Sequence, residues 1–146
     1  MEQLDLRLET RKPLLSPSRL GLAASQAGLT CVSLRRSGMH APMARETGRV
    51  GKILEGVRRE LEEYLAGERT FFTVPVDLSQ VPPFERSALQ MAAQIPYGEV
   101  RSYKWIAERL GKPDAARAVG NAMAGNPVPI IVPCHRVVRT DGSLGG

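Results

Sequence analysis

The sequence predicts an α/β protein, α+β in arrangement, with a small sheet and one long helix over residues 1–80 and a helix-turn-helix over residues 81–146. Three observations predict it. Two apolar stretches, Leu20–Ala24 and Leu29–Leu34, flank the turn sequence Ser25-Gln26-Ala27-Gly28. Val50, Ile53, Leu54, Val57, Leu61, Tyr64 and Leu65 then recur at the spacing of one helix face. Further on, two short helical stretches are joined by a turn containing Gly111, the pattern of a helix-turn-helix.

The elements follow in order. Leu4, Leu6 and Leu8 alternate with polar residues and predict a half-buried strand. The hairpin comes next, then a loop from Ser37 to Gly48 rich in glycine, proline and polar residues. Gly67 stops the long helix. Phe71-Phe72-Thr73-Val74-Pro75-Val76 has strand composition, and Pro82-Pro83 marks the boundary between the two parts. Phe84, Ala88, Met91 and Ile95 form a second helical stripe, closed by Pro96-Tyr97-Gly98. Ser102 is placed to cap a helix over Tyr103–Leu110, with Gly111 as its C-terminal signal and Pro113 forbidding continuation. Asp114 is placed to cap the next helix, Ala115–Ala124, which ends at Gly125. An apolar run, Val128–Val132, reads as a strand delivering Cys134, and Asp141-Gly142 as a hairpin turn.

Composition bounds the function. At 146 residues the chain fits one ordinary domain or two small ones, and its 42% hydrophobic and 24% charged residues are those of a soluble globular protein. A net charge of +5 favours a polyanionic partner, although so modest an excess is also compatible with a solvated surface. No apolar run approaches the ~18 residues of a membrane span and no signal-peptide pattern opens the chain, so a cytoplasmic protein is expected. Cys31 and Cys134 are distant, which in a cytosolic chain argues for two reduced thiols. A zinc site would need both cysteines, His40 and His135 to converge without any of the usual ligand spacings. No metal and no organic cofactor is expected.

Chemistry concentrates in Pro133-Cys134-His135-Arg136. The thiolate is the reactive form of cysteine, and an adjacent imidazole raises its population. A lone Cys-His pair is more often an inert buried thiol, so the residues upstream decide the matter. The second helix of the pair begins with Ala115, Ala116 and Ala118 around one cation, Arg117. A helix that reads the major groove presents several long polar side chains. Small residues instead allow close approach to a narrow groove, where a single arginine can enter the base stack. An alanine-rich helix with a solvent-facing arginine fits the same residues.

Ile95-Pro96-Tyr97-Gly98-Glu99-Val100-Arg101-Ser102-Tyr103, Ala115-Ala116-Arg117-Ala118-Val119-Gly120, Asn126-Pro127-Val128-Pro129-Ile130 and Pro133-Cys134-His135-Arg136-Val137-Val138 together closely resemble the O6-alkylguanine-DNA alkyltransferase family, also called methylated-DNA–protein-cysteine methyltransferase. The resemblance runs nearly unbroken from residue 84 to residue 146 and is only general before residue 80. It implies a ribonuclease-H-like N-terminal domain and a winged-helix-like C-terminal domain. It implies DNA repair by single-turnover transfer of the alkyl group of O6-alkylguanine, and of O4-alkylthymine, to Cys134. His135 would act as base through a water, and Tyr103 would rotate a phosphate and donate a proton toward the leaving guanine. Arg117 would replace the flipped base, with Ser102, Ala115, Ala116, Ala118 and Gly120 beside it on the DNA. Asn126 would brace the hinge before Cys134, and Met123, Pro129 and Val137 would line the pocket with it. The implied partner is double-stranded DNA bound through the minor groove by a monomer. The metal ligands that some relatives carry are absent. The family's pocket lid and a glutamate that orients the histidine would follow Gly146, so the chain reads as truncated and is expected to react more slowly than a longer version. Asn121 departs from the usual glycine or alanine, and the helix beginning at Phe84 lacks the usual Val-Trp. The other reading is a non-catalytic helix-turn-helix module that binds lesions or regulates transcription.

Overall fold

The computed structural model describes residues 20–34 and 47–139. The predicted strand around Leu4, Leu6 and Leu8, most of the loop after Ser37 and the Asp141-Gly142 turn lie outside the described residues. Contacts group the described residues into two units, which meet in the chain between Asp77 and Leu78.

In the first unit, β1 (Leu20–Ser25) and β2 (Gly28–Leu34) form the predicted antiparallel hairpin. Gly28 has to be glycine, because a side chain there would come within 2.7 Å of the Pro75 backbone. Ala23 faces Cys31 but Ala24 faces Leu29, so Thr30 is an extra residue on β2. That insertion brings Leu29 and Val32 to one buried side, although residues three apart in an unbroken strand face opposite ways. The predicted long helix is α1 (Gly48–Leu65), which packs on both strands. Its stripe buries Ile53, Val57, Leu61, Tyr64 and Leu65, each stabilising the unit by ~1.5–3 kcal/mol if fully removed from water. At its end Glu68 N–H donates to Glu63 O (2.8 Å) and Gly67 N–H to Tyr64 O (3.1 Å), with Gly67 left-handed at φ +77°.

Phe71–Val76 is not the predicted strand. Phe71 is 65% exposed, and the segment is irregular. The cause is Glu60, a buried carboxylate that accepts from the Thr73 N–H at 2.7 Å and from the Thr73 hydroxyl, with Arg69 at 3.8 Å. Burial opposes the charge on Glu60, but the Thr73 hydroxyl, the Thr73 amide and Arg69 together outweigh it and hold the carboxyl below its ordinary value. Pro75 has no N–H to offer a ladder. What remains is one rung: Leu29 N–H donates to Pro75 O (2.9 Å) and Asp77 N–H to Leu29 O (2.8 Å).

The second unit opens with α2 (Pro83–Ala92), whose proline sits where a missing N–H costs nothing. The α-helix stops at Ala92, short of the predicted stripe. Gln94 and Ile95 bond back to Met91 and Ala92 at 3.1 Å instead, because Pro96 disfavours a helical Ile95. Ile95 is buried all the same. β3 (Arg101–Ser102) leads into α3 (Tyr103–Arg109), where the Ser102 hydroxyl accepts from Trp105 N–H at 2.9 Å as predicted. Lys112 N–H to Ala107 O (2.9 Å) and Gly111 N–H to Glu108 O (3.0 Å) close that helix, with Gly111 at φ +76°. Asp114 does not cap α4 (Ala116–Ala124), and Ala115 takes the capping position without a side-chain bond. A turn closed by Ala115 N–H to Lys112 O (2.9 Å) holds Pro113 and Asp114 at its centre and delays the helix by one residue. Ala88, Leu89, Ala92, Ile106, Ala107, Val119 and Ala122 are buried where α2, α3 and α4 meet. Among the described residues, no helix is long and apolar enough to cross a membrane.

Val128–Val132 is likewise not a strand. Prolines at 127, 129 and 133 remove three of the seven backbone donors over residues 127–133, and the segment folds into turns instead. It ends in a 3-10 turn, Cys134–Arg136, followed by β4 (Val137–Val138). β4 pairs parallel with β3, Arg101 with Val137 and Ser102 with Val138.

Candidate active site

The two-rung β3–β4 ladder brings together two of the stretches the sequence singles out. Tyr103 leaves it on one side and the Cys134–Arg136 turn enters it on the other. The turns before Cys134 are tied by a side chain. Asn126 Nδ2 donates to Val132 O at 2.9 Å, and Asn126 Oδ1 accepts from Val128 N–H at 3.0 Å. Val132 N–H closes back on Val128 O at 3.0 Å. The Cys134 N–H then donates to the same Val132 oxygen at 2.8 Å, across Pro133 at φ −80° and ψ 68°, the geometry of an inverse γ-turn. Arg136 N–H bonds to Pro133 O at 2.9 Å and completes the turn. The Cys134 main chain is thereby fixed on both sides, while its side chain and that of His135 are half-buried.

Arg136 lies in the matching motif, and the sequence alone assigns it no role. It is 6% exposed, donates to Ile95 O at 3.0 Å and lies 5.4 Å from the Tyr97 ring centre. It fastens the thiol turn to the loop after α2. The signal was available: a cation inside the apolar run from Val132 to Val138 has to find an acceptor.

The predicted DNA-contacting residues divide. Arg117 and Ala118 are exposed on α4, with Asn121 and Ala124 on the following turns, so this face carries one cation among small groups. Ala115 and Ala116 are half-buried at its start. Gly120 has a packing reason: a Cβ there would sit 3.3 Å from the Tyr103 ring, so the glycine lets that ring lie against α4. Ser102 is occupied in capping α3. Of the predicted pocket residues, Met123 and Val137 are buried, and Asn126 and Pro129 are half-buried. Beside Tyr103, the guanidinium carbons of Arg101 and Arg109 lie 5.3 and 4.9 Å from the Trp105 ring centre, and Arg101 also pairs with Glu99 at 2.7 Å.

The arrangement suits nucleophilic displacement. It offers a thiol on a rigid corner, an imidazole next in sequence, a phenol on the adjoining helix, and a neighbouring helix whose outer face is small but for one cation. Among the described residues no group of histidine, cysteine and acidic side chains is placed to hold a metal. An open cleft of ≈ 570 Å³ lies in the first unit, lined by residues that include Arg49, Lys52, Arg59, Glu60 and Thr73, and contains none of the predicted site residues.

Comparisons with known proteins point to one family. The family profile of the DNA-binding domain of 6-O-methylguanine DNA methyltransferase matches residues 83–146. A methylated-DNA–protein-cysteine methyltransferase of Mycobacterium leprae is 51% identical over 96 residues, covering 66% of this chain and 57% of that protein. The constitutive methylated-DNA–protein-cysteine methyltransferase of Bacillus subtilis is 45% identical over 93 residues, covering 64% of this chain and 56% of the relative. The chain thus spans a little over half the length of these relatives. The crystal structure of Mycobacterium tuberculosis OGT in complex with DNA superimposes with a TM-score of 0.71 at 38% identity, covering 87% of this chain and 76% of that one.

Proposed function

This chain belongs to the methylated-DNA–protein-cysteine methyltransferase family, and on that premise we propose that it repairs DNA by moving the alkyl group of O6-alkylguanine, and of O4-alkylthymine, onto Cys134. The observation that carries the reading is the thiol turn itself, with Cys134 held between Pro133 and Arg136 and joined through β3–β4 to the start of α3. The sulfur forms a bond to the alkyl carbon as the bond from that carbon to guanine O6 breaks. The bonding pair stays on the oxygen, the thiol proton goes to His135 through a water, and the departing guanine gains a proton from the Tyr103 hydroxyl. A donor at the oxygen lowers the barrier because charge develops there. The product is a thioether, so each molecule reacts once.

The DNA is read as a lesion-bearing duplex held through its minor groove by a monomer acting in the cytoplasm. α4 approaches with its small face, and Arg117 fills the space of the extruded base, whose weak pairing makes extrusion cheaper than for a normal guanine. Met123, Asn126, Pro129 and Val137 shape the pocket, and Ser102, Ala115, Ala116, Ala118 and Gly120 support the contact. In the finer fold reading, residues 1–80 form a ribonuclease-H-like domain and residues 81–146 a winged-helix-like one. The relatives' names do not favour the non-catalytic alternative.

The deciding experiment is intact mass after incubation with an oligonucleotide containing O6-methylguanine. The expected result is a gain of one methylene unit, mapped to Cys134. Unchanged mass, or a gain at Cys31, overturns the proposal.

A further inference from the structure

Ile130 has φ +75° and is the one non-glycine residue with positive φ among the described residues. A β-branched side chain in the left-handed region is a true outlier, and such strain persists only where the surroundings enforce it. The surroundings here are the turns leading to the thiol. Ile130 lies between Val128, whose carbonyl accepts from Val132 N–H at 3.0 Å, and Val132, whose carbonyl accepts from Asn126 Nδ2 at 2.9 Å and Cys134 N–H at 2.8 Å. The chain turns at Ile130-Ile131, between the bridged residues Pro129 and Val132, and the sequence places an isoleucine at the left-handed position where glycine would be free of strain. The Ile130 side chain is half-buried and its neighbour Ile131 is buried, so the corner is gripped by packing as well as by hydrogen bonds.

We propose that Ile130 is a positioning residue for Cys134: its strained, packed corner restricts the Val132 carbonyl to one orientation and so presets the thiol turn. A glycine would relieve the strain but leave the corner free to sample other conformations. The fold would gain and the reaction would lose. The proposal rests on reading Cys134 as the reacting thiol, but its test does not require DNA repair to occur.

Three proteins are compared, the parent, Ile130→Gly and Ile130→Val, by two readouts besides thermal melting. One is the rate and pH profile with which iodoacetamide alkylates Cys134, followed by peptide mass with Cys31 as the internal reference. The other is the rate of methyl transfer from an O6-methylguanine oligonucleotide. Ile130→Gly is expected to melt at or above the parent temperature, to show an altered pH profile at Cys134 but not at Cys31, and to transfer methyl about tenfold to a hundredfold more slowly. Ile130→Val, which keeps the β-branch, is expected to match the parent in both readouts. An Ile130→Gly protein that melts lower, that matches the parent in the Cys134 profile, or that Ile130→Val does not separate from, overturns the proposal. If the parent itself transfers no methyl, the repair reading fails, while the iodoacetamide comparison still decides this one.

Discussion

The Val132 carbonyl oxygen receives both the Asn126 side chain and the Cys134 amide, so one acceptor couples the end of α4 to Cys134. Asn126→Ala removes a donor and an acceptor at once and strands Val128 N–H. The expected loss is ~1–3 kcal/mol in urea unfolding, and Asn126→Asp, which keeps only the acceptor, is expected to recover part of it. At the thiol, Cys134→Ala is expected to abolish alkyl uptake while leaving DNA affinity within about twofold of the parent, since base stacking and phosphate contacts do not involve sulfur. Intact mass and a binding titration check the pair. Arg117, exposed and alone among small residues, is expected to matter only when a base must leave the stack. Arg117→Ala should slow transfer from duplex substrate far more than reaction with a free benzylguanine, and equal losses would remove it from the extrusion step.

At the scale of elements, α3 depends on its two ends. Ser102→Ala deletes the cap bond to Trp105 and is expected to cost about 1 kcal/mol, read as a lower melting temperature. Gly120→Val would push into the Tyr103 ring from a position where even a Cβ approaches to 3.3 Å, so it is expected to separate α3 from α4 and lower both stability and transfer rate. The same elements show what the sequence made legible. The hairpin around Ser25–Gly28, the α1 stripe with its Gly67 stop, and the Ser102 and Gly111 ends of α3 were readable because each depends on local periodicity or on one residue's conformational freedom. The two segments misread as strands, Phe71–Val76 and Val128–Val132, have strand composition but contain prolines, and their shape is set by partners distant in sequence or by a side chain. Glu60 captures Thr73 from another element, and Asn126 replaces a ladder with its amide. Neither bond leaves a periodic trace. The candidate site residues were picked out by four short motifs between Ile95 and Val138, whereas the strain at Ile130 and the anchorage of Arg136 appear only in the folded chain.

Across the molecule, two global quantities follow from charge. Glu60 is the buried carboxylate whose folded-state value is depressed, so the stability it contributes is complete above the ordinary glutamate range, ~4.3, and is lost as pH falls through the lower folded value. Thr73→Val, which removes the hydroxyl donor, is expected to raise the midpoint of acid unfolding, monitored by circular dichroism. In residues 81–146, eight lysines and arginines face five acidic residues, and α4 presents few base-reading groups, so DNA affinity is expected to fall linearly with the logarithm of salt and to vary little with sequence. A flat salt response would refute that. The β3–β4 ladder has a last consequence, for the order in which the molecule is made. Its two strands lie at opposite ends of the stretch that contains α3 and α4, so the ladder forms only when that whole length of chain has been looped back on itself. A nascent or partly folded chain holds the Cys134 turn apart from the start of α3. Under the proposed function, the single alkylation that consumes the protein would then wait until α3 and α4 are in place.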